Sequence, residues 1–484
     1  VTAGDLVKGS ALLSASRGGS LLLQAAHFAL VARTLPVDEF AGFAAALALL
    51  AIVASLAEFG VTSTTILALA GRTADPRREL GASLAANGML VALALAAIPV
   101  VAVVLPPASQ QALLCLLPWF VLMAMQSPFL ALRRYRLEFR RLAAADVVGR
   151  AVPLLAVLPL VTASSFPVDT KLLLVAAGMF AGAGASFALL VSRGLSSPEH
   201  GWFQAGRRSI GSAAPLGLTS ALSMIHTRVD QIVLAAYGVT AGLAHYAVAY
   251  RALDAALALT GAAGVAGFSL LVRSQGSDRR EVVRTQACIL AIASVVVGVA
   301  AFSLAPQLMV LLGGDGFRDG TDLVRLLAPA LVVAMLNVTA AQVVISAGQV
   351  RALVRIAIAA VAANIALNVL FVPSFGAKAA AATTVVSELL GFVLVSRSAG
   401  RVLPGSIPGH IAVVALGSFA AASYGGWAFS HVAGSAAGAL VGISVVVAGS
   451  AMLWRARAAN NAVIPASGVD KSPANEIVGG RGAA

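Results

Sequence analysis

The sequence predicts an all-α polytopic membrane protein of about 14 transmembrane helices: two six-helix lobes forming a central cavity, plus two extra C-terminal helices. Three observations predict it. The 484 residues are 59% hydrophobic and only 11% charged, less than half the charge of an ordinary soluble domain, and the mean hydropathy is +0.92. The apolar runs are long and rich in Ala, Leu and Val, whereas barrel strands alternate over about ten residues. The charges gather between the runs. Together these exclude a soluble enzyme, a disordered chain and a collagen.

A helix needs about 20 apolar residues to cross the hydrocarbon core. The chain offers such runs at 10–32, 40–70, 82–105, 110–132, 146–164 and 170–192, then at 212–237, 245–272, 285–312, 322–347, 353–373 and 376–396, and finally at 410–431 and 433–454. The first run lacks the order of a signal peptide, so it is read as a span. The second is too long for one straight helix, and Gly60 is the natural place for it to end.

Charge sets the orientation. Of the 33 Lys and Arg, 24 fall in one set of alternate connections, including Arg77, Arg78 and the run Arg133, Arg134, Arg136, Arg140 and Arg141. The other set holds Arg33, Lys171, Arg318, Arg325 and Lys378. The positive-inside rule then puts both termini in the cytoplasm of a bacterial inner membrane protein. The net charge of +13 is therefore topological, and no basic stripe with stacking aromatics calls for nucleic acid. Cys115 and Cys288 lie in separate apolar runs and imply neither disulfide nor metal site.

The expected units are an N-terminal lobe at 1–209, a C-terminal lobe at 210–400, helices 13 and 14 at 401–455, and a disordered cytoplasmic tail at 456–484. Aligning Phe43 on Tyr246 matches a small-residue helix start in both halves. An offset of six spans is even, so the repeats run parallel.

Charges within spans cost about 2.5–3.5 kcal/mol each, which makes them functional candidates. Span 7 holds His226, Arg228 and Asp230; span 8 holds Arg251 and Asp254. Arg228 and Asp254 fall at similar depth and can meet, while Arg251 and Asp254, three apart, share a face. Arg228 and Asp230, two apart, point differently. Arg17 in span 1 and Glu58 late in span 2 are expected to pair, and Asp146 with Arg150 to form a local pair. Asn337, Asn364, Asn368 and Glu388 are read as interhelical glue, and His27 as an interfacial histidine.

The loops expected outside are short, the longest running from Gly313 to Thr321. They leave little room for the catalytic acids of a membrane glycosyltransferase. No Walker loop and no H-E-x-x-H pattern is present. The chain thus reads as a transporter, not an enzyme.

The segments Val31–Gly60 and His226–Asp254 resemble the bacterial polysaccharide-repeat flippases, the O-antigen and exopolysaccharide translocases of the multidrug/oligosaccharidyl-lipid/polysaccharide exporter superfamily. Arg33, Leu35 and Phe40 stand in the opening turn, with Pro36 where that family usually has glycine. Asp230, Tyr246, Ala249 and Arg251 match in the second segment, and Asn364, Asn368, Pro373, Gly376 and Glu388 in a later one. The resemblance implies a V-shaped pair of lobes whose basic cavity takes a sugar-diphosphate head while the polyprenyl tail stays in lipid.

The function expected is translocation of a polyprenyl-diphosphate-linked oligosaccharide across the inner membrane for surface polysaccharide biosynthesis, by ion-coupled alternating access. Arg17, Arg228 and Arg251 are the expected substrate-binding residues; Glu58, Asp230 and Asp254 would balance charge or hold the coupling ion. No cofactor is called for beyond a proton or sodium ion. The expected partners are the lipid-linked glycan, the bilayer, and glycosyltransferases or a polymerase of the same pathway. The rivals are a lipid II flippase and an ion-coupled efflux antiporter of small drug-like compounds; the antiporter requires an acidic cavity.

Overall fold

The computed structural model describes residues 3–70, 75–162, 166–191, 202–405, 409–428 and 442–452. Every regular element among them is helical. The first half comprises α1 (Ala3–Thr34), α2 (Val37–Glu58), α3 (Val61–Leu69), α4 (Pro76–Ala102), α5 (Pro107–Ala124), α6 (Ser127–Tyr135), α7 (Phe139–Thr162) and α8 (Val168–Leu190). The second comprises α9 (Trp202–Ala236), α10 (Thr240–Arg273), α11 (Gly276–Ser303), α12 (Ala305–Gly313), α13 (Thr321–Ser346) and α14 (Val350–Val402). Then come α15 (Gly409–Ala420) and a last described helix, Gly442–Met452. Among the described residues nine helices are long and apolar enough to cross a membrane. The expected tail, with Gly434 and Gly438, lies outside the described residues.

Local chemistry sets the breaks. Pro36, Pro106 and Pro167 directly precede α2, α5 and α8. Each fixes its own φ and cannot extend the helix backwards. All three stand at the short-loop end of the bundle, opposite the arginine-rich end. α14 is too long for one crossing and breaks at Gly376 (φ 59°, ψ −139°), a conformation that a Cβ would disfavour. That break separates the two spans expected there. The long second run ends where expected, with Phe59 and Gly60 both left-handed between α2 and α3. Gly217 of α9 lies against this junction, and a Cβ on it would collide with the Phe59 carbonyl.

Helix neighbours repeat between the halves. α1 packs on α7, α2 on α5, and α5 on α8; correspondingly α9 packs on α14, α10 on α13, and α13 on α14. The weak similarity of letters thus accompanies a repeated set of contacts. The halves meet where α2 packs on α9 and α10, α4 on α9, and α1 on α12. At the short-loop end a chain of edge-on rings closes the space between them. Phe40 lies 5.3 Å from Phe28 and 5.5 Å from Phe317, which lies 5.4 Å from His245. Beside it Arg33 Nη2 donates to the carbonyls of Val310 (3.0 Å) and Leu311 (2.9 Å), near the end of α12. A cation there meets unsatisfied carbonyls and the negative end of the helix dipole.

Candidate functional site: an arginine-lined cavity

A cavity of about 420 Å³ runs from the arginine-rich end towards the aromatic closure. Its wall is made of single helix faces. α1 contributes Leu13, Arg17, Gln24, His27 and Phe28; α2 contributes Ala44, Leu47, Ala48 and Ala51; α5, α6 and the turn between them contribute Met123, Gln126, Leu130 and Arg134. α7 adds Ala145, Asp146, Gly149, Arg150 and Pro153. The three-and-four spacing is that of a helix stripe. From the second half come Arg228 and Gln231 of α9, and Ala247 and Arg251 of α10. The wall therefore carries five arginines against one aspartate.

On the C-terminal wall the charges are tied together. Arg228 Nη2 donates to Asp254 Oδ2 at 2.7 Å, and Arg251 Nη1 approaches the same oxygen at 3.6 Å. Arg228 also lies over the Tyr250 ring (5.2 Å to the centroid), and Arg251 over Phe28 of α1 at 4.5 Å. A guanidinium on an aromatic face keeps its charge in partial burial. Arg251 thus bridges the two halves.

Asp230 points elsewhere, as its offset of two from Arg228 predicts. It is wholly buried and accepts hydrogen bonds from Tyr246 Oη (2.7 Å), Thr384 Oγ1 (2.6 Å) and Asn368 Nδ2 (2.7 Å). Asn368 also donates to Asn364 Oδ1, and Asn364 Nδ2 donates to Ser387 across the Gly376 break. One turn away, His226 Nε2 meets Glu388 Oε1 at 3.2 Å. Asn364, Asn368 and Glu388 do join helices, as expected of glue, but they do so around a buried carboxylate.

Two other expected pairs are not in ion-pair contact among the described residues. Glu58 accepts from the backbone N–H groups of Gly60 (3.0 Å) and Thr62 (3.1 Å), satisfying the start of α3. Among the described residues no ion pair joins it to Arg17, which is exposed on the cavity wall. Asp146 and Arg150 both line the cavity, again with no ion pair among the described residues.

Arg134 is the residue that sequence reasoning missed. In the run 133–141 it reads as one more topological positive. Its neighbour Arg133 is buried, donating to the carbonyls of Leu190 and Val191 (both 3.0 Å) and to Glu138 (2.6 Å). Those bonds fix the end of α6 and leave Arg134 on the cavity face. The signal was available: Gln126, Leu130 and Arg134 recur every four residues.

Comparison with known proteins places this architecture. The chain superimposes on the lipid II flippase MurJ in an inward closed conformation, with a TM-score of 0.69 at 13% identity, covering 92% of this chain and 99% of that one. An inward-facing multidrug resistance MATE transporter of the MOP superfamily gives 0.61 at 15% identity over 80% and 96% of the two chains. A MOP superfamily transporter from Pyrococcus furiosus gives 0.54 at 13% identity over 82% and 96%. At these identities the likeness is one of fold. No curated protein matches by sequence. The sequence profile described as "Polysaccharide biosynthesis protein" matches residues 6–269, more than half the chain, and the protein therefore belongs to that family of multi-pass membrane proteins.

Proposed function

We propose that the protein flips a polyprenyl-diphosphate-linked oligosaccharide from the inner to the outer leaflet of a bacterial inner membrane. The carrying observation is the cavity wall, with five arginines and one aspartate. The planar guanidinium fork matches phosphate oxygens. An exporter of small cations would need the opposite sign. Family membership and the transporter fold support the same reading. The aromatic closure and the Arg33 bonds at the short-loop end correspond to a state whose cavity faces the cytoplasm. Alternating access would break these contacts and form others at the arginine-rich end.

In this reading Arg17, Arg228 and Arg251 contact the anionic head, and Asp254 keeps Arg228 and Arg251 in place until substrate competes for them. Of the three acids expected to balance charge or hold an ion, Asp230 has the fitting surroundings. Glu58 is occupied with backbone and Asp254 with two arginines. Asp230 has only neutral hydrogen-bond partners in its box, so a proton or sodium ion there would couple to the packing of α9, α10 and α14.

The test is surface polysaccharide in a strain whose only copy carries Arg17→Ala or Arg251→Ala. The expected result is loss of export with the protein still in the membrane. Full export by both variants would overturn the proposal.

A further inference from the structure

Three positive residues at the short-loop end have partners within the chain. Arg33 donates to the end of α12, Arg318 stands 3.8 Å from Asp315, and Lys378 stands 3.3 Å from Asp322. Arg325 differs. It lies four residues into α13, about 6 Å below the short-loop end of that helix. It is only partly exposed. Its Nε is buried without a hydrogen-bond partner, and no ion pair reaches it among the described residues. Asp322, one turn earlier on the same helix, is turned to Lys378. What the guanidinium does have is an aromatic face. It lies over the ring of Phe302, near the end of α11, at 5.6 Å from the centroid. Phe302 in turn meets Tyr424 edge-on at 4.8 Å and Phe419 of α15 at 6.5 Å. Tyr424 stands in a π-helical turn, Ala421–Gly425, that follows α15. Such turns are rare and gather at functional places. Tyr424 and Trp427 are 44% and 46% exposed, and none of these residues lines the arginine-rich cavity.

A guanidinium within a membrane needs a counter-charge, and here the described chain supplies none. Exposed Tyr and Trp mark the level of the lipid headgroups. A phosphate at that level would meet the unused N–H groups of the fork, with its acyl chains lying along the apolar helix faces below. We propose that Arg325, backed by Phe302 and Tyr424, binds the phosphate of a membrane phospholipid at the seam of α11, α13 and α15. Since α15 packs on α11 and α13, a lipid held there would tie the added C-terminal helices to the second half. This site is separate from the path of the transported substrate. It rests on the flippase reading only in calling its leaflet the outer one.

The experiment titrates the full chain in detergent with dioleoylphosphatidylglycerol and counts bound lipid by native mass spectrometry. The parent should hold one lipid more than Arg325→Gln at equal lipid concentration. The Gln variant should need about tenfold more lipid to reach the same occupancy, the scale of a charge-assisted hydrogen bond. Arg325→Lys, which keeps charge and loses the fork, should fall between and guard against misfolding of the Gln variant. Arg318→Gln, which removes an exposed cation from the same end, should bind as the parent does. Dioleoylglycerol, with the same tails and no phosphate, should bind parent and Arg325→Gln alike. Equal lipid retention by the parent and both Arg325 variants overturns the site. So does an equal loss in Arg318→Gln, or a difference with dioleoylglycerol as large as that with phosphatidylglycerol. Displacement of the lipid by inorganic phosphate would assign Arg325 to a soluble anion and overturn the lipid as its ligand. Loss of the export function would leave this site standing, and loss of this site would leave the export assay to decide the flippase reading.

Discussion

On the N-terminal wall of the cavity Arg17, Arg134 and Arg150 stand without ion-pair partners among the described residues, and Asp146 stands near them unpaired. On the C-terminal wall one carboxylate, Asp254, takes both arginines, and behind it a second, Asp230, is wrapped in hydroxyl and amide donors. The two walls use the same residue types to different ends. An untied guanidinium is available to a ligand at no cost of breaking an existing pair. A tied one costs less to bury but must be released before it can bind. Under the proposed function, the first wall would be suited to capture and the second to changing partners as substrate arrives.

Removing Asp254 is the strongest way to break that contrast. Asp254→Ala leaves Arg228 and Arg251 facing each other without a counter-ion. Export should fall at least tenfold, and stability by about 1–3 kcal/mol, less than for a sealed pair because these side chains keep 18–25% exposure. Thermal unfolding in detergent checks the second figure. An unchanged midpoint with normal export would mean that the C-terminal wall is no more tied than the other. A smaller effect is expected of Asp230→Asn, which keeps the shape of the box and removes its charge. Transport in vesicles should lose its dependence on a proton or sodium gradient while the unfolding midpoint shifts by only a few degrees; retained gradient dependence would place coupling elsewhere. The smallest effect belongs to Asp146→Ala. With no pair to break, it should cost about 0.5 kcal/mol or less, as surface changes do, and should tighten undecaprenyl diphosphate binding a few-fold. Weaker binding would make Asp146 an organiser of the arginines.

The membrane helices and their breaks were legible because each has a local cause: apolar runs of spanning length, proline at the turns before α2, α5 and α8, glycine at 60 and 376. The meeting of Arg228, Arg251 and Asp254 was legible from depth and helical spacing. Glu58 was misread because a late acid in an apolar run looks like a buried charge, while the turn after it needed backbone acceptors. Arg134 was hidden by its neighbours. In a run of five arginines only the tertiary contacts of Arg133 decide which one faces inwards. The box around Asp230 was visible only as scattered amides, since nothing in the sequence says that Asn368 and Thr384 converge on one carboxylate.

The pairing of α9 with α10 also bears on how the chain is made. α9 is not among the nine helices apolar enough to cross a membrane by composition, since it carries His226, Arg228, Asp230 and Gln231 through the spanning region. Delivered alone to the translocon it would be a poor substrate for lateral release, each centrally placed charge costing about 2.5–3.5 kcal/mol. The turn to α10 is only Tyr237–Val239 long. The Arg228–Asp254 bond is therefore within reach as soon as the hairpin has emerged from the ribosome. Insertion as a hairpin, with the charges already joined, would lower that cost. The Arg228–Asp254 ion pair would thus serve first as a pass into the bilayer.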